Sequence, residues 1–192
     1  MNKTLSLVFD LETTGLPLRM NVEPFRLDNY NNCRVIEIGY VIVDVDEGKV
    51  VKKVNHLTTH DTFIDVKNSD IHGITTEKLL REGVKFEIAM AELSEDLATV
   101  NTIVAHNIAF DLPVLLSELY RRYSSHAMKN IIGQLYMKKQ ICTMKYGQKY
   151  LGMNKWPKLS HLHKEIFGED WVQKHRALDD AEICSKCYLH IK

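Results

Sequence analysis

The chain has 192 residues, 45% of them apolar and 26% charged, with 25 basic side chains against 25 acidic ones and four cysteines. That length suits one compact domain with a real core, and 1–192 reads as a single domain; no run approaches the ~20 apolar residues of a membrane span, which excludes a transmembrane helix. Irregularly spaced cysteines in a chain this size argue against a disulfide scaffold and for a reducing compartment, so the expected setting is intracellular and soluble.

Leu5–Leu11 reads as a first strand, and acids reached within a dozen residues set the N-terminus apart from a secretory leader. Pro17–Cys33 has no clear periodicity and reads as a long loop, a feature that is usually functional in a compact domain. Arg34–Val45 and Lys49–Leu57 are β-branched runs joined by Asp46, Glu47 and Gly48, a hairpin signal. Residues 59–75 look irregular. Helical spacing follows over 75–83 and over 85–100, where Phe86, Met90, Leu93 and Leu97 form one stripe. A short buried strand over 101–107 leads into a helix over 110–123, in which Pro113 is tolerable only within the first turn. Residues 138–144 suggest a last strand, and helices follow at Met144–Tyr150, Lys158–Phe167 and Ala177–Ile191. Three consecutive strands, then helices alternating with single strands, imply a mixed sheet flanked by helices, with no internal repeat.

Net neutrality hides an asymmetry. The first 96 residues carry 11 Lys/Arg and 17 Asp/Glu, the last 96 carry 14 and 8. A basic second half suits a polyanion, although such a bias is common by chance.

The first strand carries Asp10 and Glu12 two positions apart, hence on one face. Two like charges in an apolar setting raise each other's pKa and cost stability unless a positive charge joins them. Alone, the pair also fits a solvated strand end. A second cluster, Val104–Leu115, brings His106 and Asn107 to a strand end and Asp111 into the next helix; here the plain alternatives are a structural histidine and an acid favoured near a helix N-terminus. In the third, "HRALDDAEICSKCYLHI", helical geometry discriminates. With Asp180 at zero degrees, Cys184, Cys187 and Ile191 fall within about 40° of it, so Asp180 points inward and Asp179, sharing its side with Glu182, Lys186 and His190, points to solvent. His175 lies five positions before Asp180, just ahead of the helix. Gathered together, Asp10, Glu12, Asp111 and Asp180 would make a cage of hard oxygens, the ligand type of Mg²⁺ or Mn²⁺.

These residues resemble the DEDDh branch of the 3′–5′ exonucleases, which includes the proofreading epsilon subunit of bacterial DNA polymerase III, the three-prime repair exonucleases and ribonuclease T. Three motifs stand in order, "FDLETTG", "AHNIAFD" and "HRALDD", with "IHGIT" and "WPKLSHLHKEIFGE" as secondary signatures, so that the likeness runs from about Leu5 to Leu189. The resemblance implies an α/β ribonuclease H-like fold with a five-stranded mixed sheet. It makes Asp10, Glu12, Asp111 and Asp180 the metal-site acids, holding two Mg²⁺ or Mn²⁺ ions, and His175 the general base. It sets the backbone around Glu12–Thr14, with Thr13 and Thr14, against the terminal 3′ hydroxyl, and His106, Asn107 and Phe110 near the last nucleotides. Asp179 drops out on family spacing too. The long Pro17–Cys33 segment and the missing proline ahead of "IHGIT" depart from the family pattern at the substrate rim.

The implied reaction is stepwise hydrolysis from a free 3′ end of single-stranded nucleic acid, DNA before RNA, releasing 5′ mononucleotides; a second copy of the chain or a polymerase or repair protein stays open as partner. Phe110 is the aromatic expected to stack on a base, and Lys145, Lys149, Lys155 and Lys158 either hold the backbone or form a solvated face. A dehalogenase-type phosphatase would want a second Asp where Glu12 stands and leaves His175 idle. A nucleic-acid-binding or scaffold domain without activity would be expected to have lost an acid or the histidine. Cys184 and Cys187, on a helix with no second ligand pair, read as buried packing.

Overall fold

The computed structural model describes residues 3–192, so Met1 and Asn2 of the single-domain reading lie outside the described residues. Strand β1 (Leu5–Thr13) runs through the middle of the sheet, and its alternation sorts the molecule into two layers. Leu7, Phe9 and Leu11 pack into one core cluster and Val8 into another, so Asp10 and Glu12 continue the face of Val8. β2 (Val35–Asp44) pairs antiparallel with β1, and β3 (Lys49–Thr59) pairs antiparallel with β2. The chain then passes through α1 (Ser69–His72) and α2 (Thr76–Glu82), touches the edge of β3 as β4 (Val84–Lys85), and continues into α3 (Phe86–Leu97). β5 (Thr102–Ala105) lies parallel to β1; α4 (Ile108–Arg121) and α5 (His126–Met137) precede β6 (Lys139–Cys142), parallel to β5. Helices α6 (Thr143–Tyr150), α7 (Leu159–Phe167) and α8 (Ala177–Ile191) follow.

The sheet order is β4-β3-β2-β1-β5-β6, six strands where five were expected. The extra strand is β4, whose two residues pair with Thr58 and Thr59; a contact that short leaves no periodic trace in a sequence. Helices α3, α4 and α5 cover one face. Phe86, Met90, Leu93 and Leu97 are the buried stripe of α3, each contributing about 1.5–3 kcal/mol by leaving water. The other face is covered by α7 and α8, where Leu159, Leu162, Ile183, Cys184, Cys187 and Tyr188 meet Val8, Val41, Val43 and Val104. All four cysteines are free and buried.

The structure differs from the sequence expectations elsewhere too. Helix α4 begins at Ile108, which puts Pro113 beyond its first turn. The carbonyl of Ala109 thereby loses its i+4 donor, and Ala109 is exposed, so water can serve it. The long loop is not loose. It contains a 3₁₀ turn over Leu27–Tyr30, the Asn29 side chain brackets the backbone N–H and C=O of Arg19, and the buried Tyr30 hydroxyl donates to Val22 O. Helix α5 was not expected at all. Among the described residues no helix is long and apolar enough to cross a membrane.

Candidate active site

The carboxylates meet at the end of β1, beside the end of the parallel strand β5, where open α/β sheets leave a crevice. Between Glu12 and Thr13 the pairing with β2 slips by one residue, a bulge that ends the regular alternation at the last acid. β5 runs into His106 and Asn107, and Asn107 takes a left-handed backbone (φ 78°) that turns the chain into α4. Asp111 therefore sits in the first turn of that helix. Two turns further on the same face, the fully buried Glu118 accepts from Arg34 Nε–H and Nη2–H, from the Val35 backbone N–H and from Arg122, which pins α4 to the start of β2.

Asp180 arrives from the opposite direction. Helix α8 crosses β2 at Gly39, where a Cβ would stand 2.1 Å from Leu178 N and 2.3 Å from the Ala177 carbonyl carbon. Only a residue without a side chain lets the helix lie this close. The start of α8 is held by Glu37, which pairs with Glu12 in the strand register and is fully buried. Arg176 Nε–H donates to Glu37 Oε2 at 3.1 Å, its terminal N–H donates to Oε1, and the Ala177 backbone N–H donates to Oε2 at 3.1 Å. Just before this anchor, His175 has φ 51°, a left-handed conformation that costs a non-glycine residue about 1–3 kcal/mol.

Glu12, Asp111 and Asp180 are only 8%, 4% and 2% exposed. Burial is the main reason each carboxyl holds its proton more tightly than usual. Glu12 is pushed up to about 8, with Asp180, Glu37 and Asp111 adding repulsion. Asp111 is pushed up to about 8 despite backbone N–H groups of its own residue and Leu11. Asp180 rises to about 6, with Gln173 and His175 pulling the other way. Asp10 is raised well above its ordinary value by burial, then by Asp111, Asp180 and Glu12, so the four acids form one electrostatic unit.

One oxygen of Asp180 accepts from Gln173 Nε2; the other, Oδ1, is buried without a partner among the described residues. Ligand atoms of Glu12, His175 and Asp180 lie within 4.8 Å of one another. Mutually repelling acids, an orphaned buried oxygen and a donor set of hard oxygens with one imidazole fit a divalent cation. Asp10 lines a cavity of about 430 Å³ beside this cluster, together with His106, Asn107, Trp156 and Lys158.

The other sequence candidates have defined surroundings. Thr13 Oγ1 donates to Gly15 O, and Thr14 Oγ1 bonds Asn32 O and Arg34 N, while the Thr14 carbonyl accepts from Asn68. Both nitrogens of His106 are engaged within the protein, Nε2 on Pro157 O and Nδ1 on Thr143 Oγ1, and burial pulls its pKa down to about 4. These two bonds tie the loop before α7 to the end of β5 and the start of α6. Phe110 is half-buried against the core at the base of α4. Asp180 is buried and Asp179 is more open, as the helix arc required. No sequence signal assigned a role to Glu37, Gly39 or Gln173, and Arg176 entered only inside the motif "HRALDD". His72 likewise entered only inside "IHGIT", although it is 3% exposed and its Nε2 has no partner among the described residues.

Comparisons with known proteins identify the family and the fold. A family model described as exonuclease (RNase T) matches residues 7–188. The PolC-type DNA polymerase III of Thermotoga petrophila is 28% identical over 182 residues, 95% of this chain but 11% of that polymerase, and that of Thermotoga maritima matches to the same extent. Among solved structures, E. coli exonuclease I in complex with single-stranded DNA, in its zinc-bound form, superposes with a TM-score of 0.72 at 16% identity over 99% of this chain and 41% of that one. A 3′-exonuclease recognising a histone mRNA stem-loop gives 0.66 at 13% identity, over 98% and 81%. The chain thus spans about a tenth of the length of the curated relatives it matches.

Proposed function

The chain belongs to the exonuclease family, in its DEDDh 3′–5′ branch with the ribonuclease H-like fold, and on that premise we propose that it hydrolyses single-stranded nucleic acid stepwise from the 3′ end, releasing 5′ mononucleotides. The observation that carries the reading is the convergence of Asp10, Glu12, Asp111 and Asp180 with His175 at one end of the sheet, with Asp180 Oδ1 left without a protein partner. We read the whole chain as one exonuclease domain, which the family match over 7–188 supports.

In this reading the four acids hold two divalent ions, Mg²⁺ or Mn²⁺, which when bound supply the positive charge that lets a water attack an anionic phosphodiester and lets the 3′ oxygen leave. Everything else falls to the chain. Buried carboxylates with raised proton affinity stay in place, because each is fixed by its own element: β1, α4 or α8. His175, beside Glu12 and Asp180, accepts the proton of the attacking water. Thr13 and Thr14 border the position of the terminal 3′ hydroxyl, and Asn107 and Phe110 border the last bases; His106 shapes that rim by holding the loop at Pro157. A single strand fits the site best, since terminal bases must separate to bring a phosphodiester down to acids that are nearly closed off from water. Likeness to a segment of PolC-type polymerases supports DNA as the substrate and DNA synthesis as the setting.

The test is digestion of matched 5′-labelled single-stranded DNA and RNA with Mg²⁺, Mn²⁺ or chelator. The expected result is a ladder shortening from the 3′ end, fastest on DNA, abolished by chelator and by Asp10→Ala. Hydrolysis that survives chelation, or cleavage within the strand, overturns the reading.

A further inference from the structure

Glu37 takes no part in the chemistry above, yet it is fully buried in the middle of β2 and accepts from donors on two other segments. Asn55 Nδ2 donates to Oε1 from β3, at 2.9 Å, and so fixes the carboxylate's own orientation. Arg176 and the Ala177 backbone N–H, adjacent in the chain, take the rest of its capacity. Helix α8 has no cap of its own at Arg176, so Glu37 caps it from the sheet.

His175 stands immediately before that pair of anchors, and its φ of 51° is a backbone state that persists only where neighbours enforce it. Among the described residues no group hydrogen-bonds the His175 ring. The place of the imidazole beside Glu12 and Asp180 is therefore set by its backbone, and the backbone is set by what grips residues 176 and 177. Because Glu37 and Glu12 are paired in register, the grip is on the strand next to the acid that the histidine must face.

We propose that Glu37 is a positioning residue of the reaction: through Arg176 and Ala177 it holds His175 in its left-handed turn over Glu12 and Asp180. The proposal rests on the exonuclease reading for its consequence but not for its geometry, and the experiment separates the two.

The measurement is a double-mutant cycle on a 5′-labelled oligonucleotide, with Glu37→Gln combined with His175→Ala. Glu37→Gln keeps the shape and weakens the grip, so kcat should fall about tenfold or more while KM stays within about twofold. In the His175→Ala background the same change should alter the residual rate by less than about twofold, because the positioned group is gone. A cost of equal size in both backgrounds means Glu37 acts elsewhere, and overturns the proposal. Should Glu37→Gln fail to fold, Arg176→Lys, which keeps the charge and loses the planar fork, goes through the same cycle with the same outcomes. A proton NMR signal of the His175 ring, assigned by its loss in His175→Ala, reads the position without turnover. It should shift and broaden in Glu37→Gln or Arg176→Lys, and an unchanged signal overturns the proposal. Wild-type protein that hydrolyses nothing would count against the exonuclease reading while this signal still decides the role of Glu37.

Discussion

Asp10 and Gly39 oppose each other across β1 and β2, and the volume a side chain at 39 would need is already filled by the backbone of α8. The obstructing atoms, Leu178 N and the Ala177 carbonyl, cannot rotate aside. Gly39→Ala must therefore lift α8 off the sheet and carry Asp180 with it. Urea unfolding should register a loss of about 1–3 kcal/mol or more, and hydrolysis should fall well beyond what that loss explains. Unchanged stability and rate would mean that the helix does not lie so close.

The two neighbouring acids at the start of α8 give a sharper contrast. Asp180 is buried with an unpartnered oxygen, and Asp179 is more open. Asp180→Asn should remove nearly all hydrolysis, by about 10³-fold or more, whereas Asp179→Asn should change it by less than about threefold. Initial rates at saturating Mn²⁺ check this, and the reverse order would assign the inward face to the wrong residue.

Glu118 anchors α4 by neutralising Arg34 and Arg122 where neither oxygen meets water. Glu118→Ala leaves guanidinium groups that are 15% and 13% exposed without that counter-charge, so a stability loss of about 3–5 kcal/mol is expected. Chemical denaturation measures it directly. Because the same helix carries Asp111, metal affinity should weaken with it.

Metal removal should make stability depend on pH in an unusual direction. Glu12 rises from 4.5 to about 8 and Asp111 from 3.8 to about 8 on folding. The folded state then binds more protons than the unfolded state throughout that window. Stability from these groups is present at low pH and is lost as pH climbs from about 4 to 8. Glu37 and Glu118 are shifted the other way, chiefly by Arg176 and Arg34 acting against their burial, and they add stability that is lost as pH falls below their ordinary 4.5. In chelator, the melting temperature should therefore peak on the acid side of neutral. Added Mg²⁺ or Mn²⁺ should raise it more at pH 8 than at pH 6, with protons released on binding, which calorimetry in buffers of different ionisation enthalpy detects.

His106 should behave as a brace. Replacing it with Ala frees the loop at Pro157 from β5, so melting temperature should fall and KM should rise, with kcat changed far less than by His175→Ala. Loss of kcat alone would point to a direct role in the chemistry.

Much of this architecture follows local rules that a sequence displays. β1 announces itself by a short apolar run, β2 and β3 by β-branched ones, and the inward turn of Asp180 follows from 100° per residue along a helix that buries Cys184 and Cys187. Helix α5 was equally legible, since Met128, Ile131, Ile132 and Leu135 keep the i, i+3, i+4, i+7 pattern; Gly133 and the lack of a capping pair obscured it. Glu37 and Gly39 are of another kind. Their reasons lie in Arg176, Ala177 and Leu178, about 139 residues away (as for Glu37 and Arg176), and no spacing rule spans that distance. An acid inside an otherwise apolar, fully buried strand was the available clue, because such a charge needs a partner somewhere.

The order in which the polypeptide is made decides when the acids can meet. Asp10, Glu12 and Asp111 leave the ribosome long before Asp180, which belongs to α8 and docks against a sheet completed earlier. Until α8 docks, the acids of β1 and α4 stand without Asp180, so the four-acid cluster is complete only once that helix lies against the sheet.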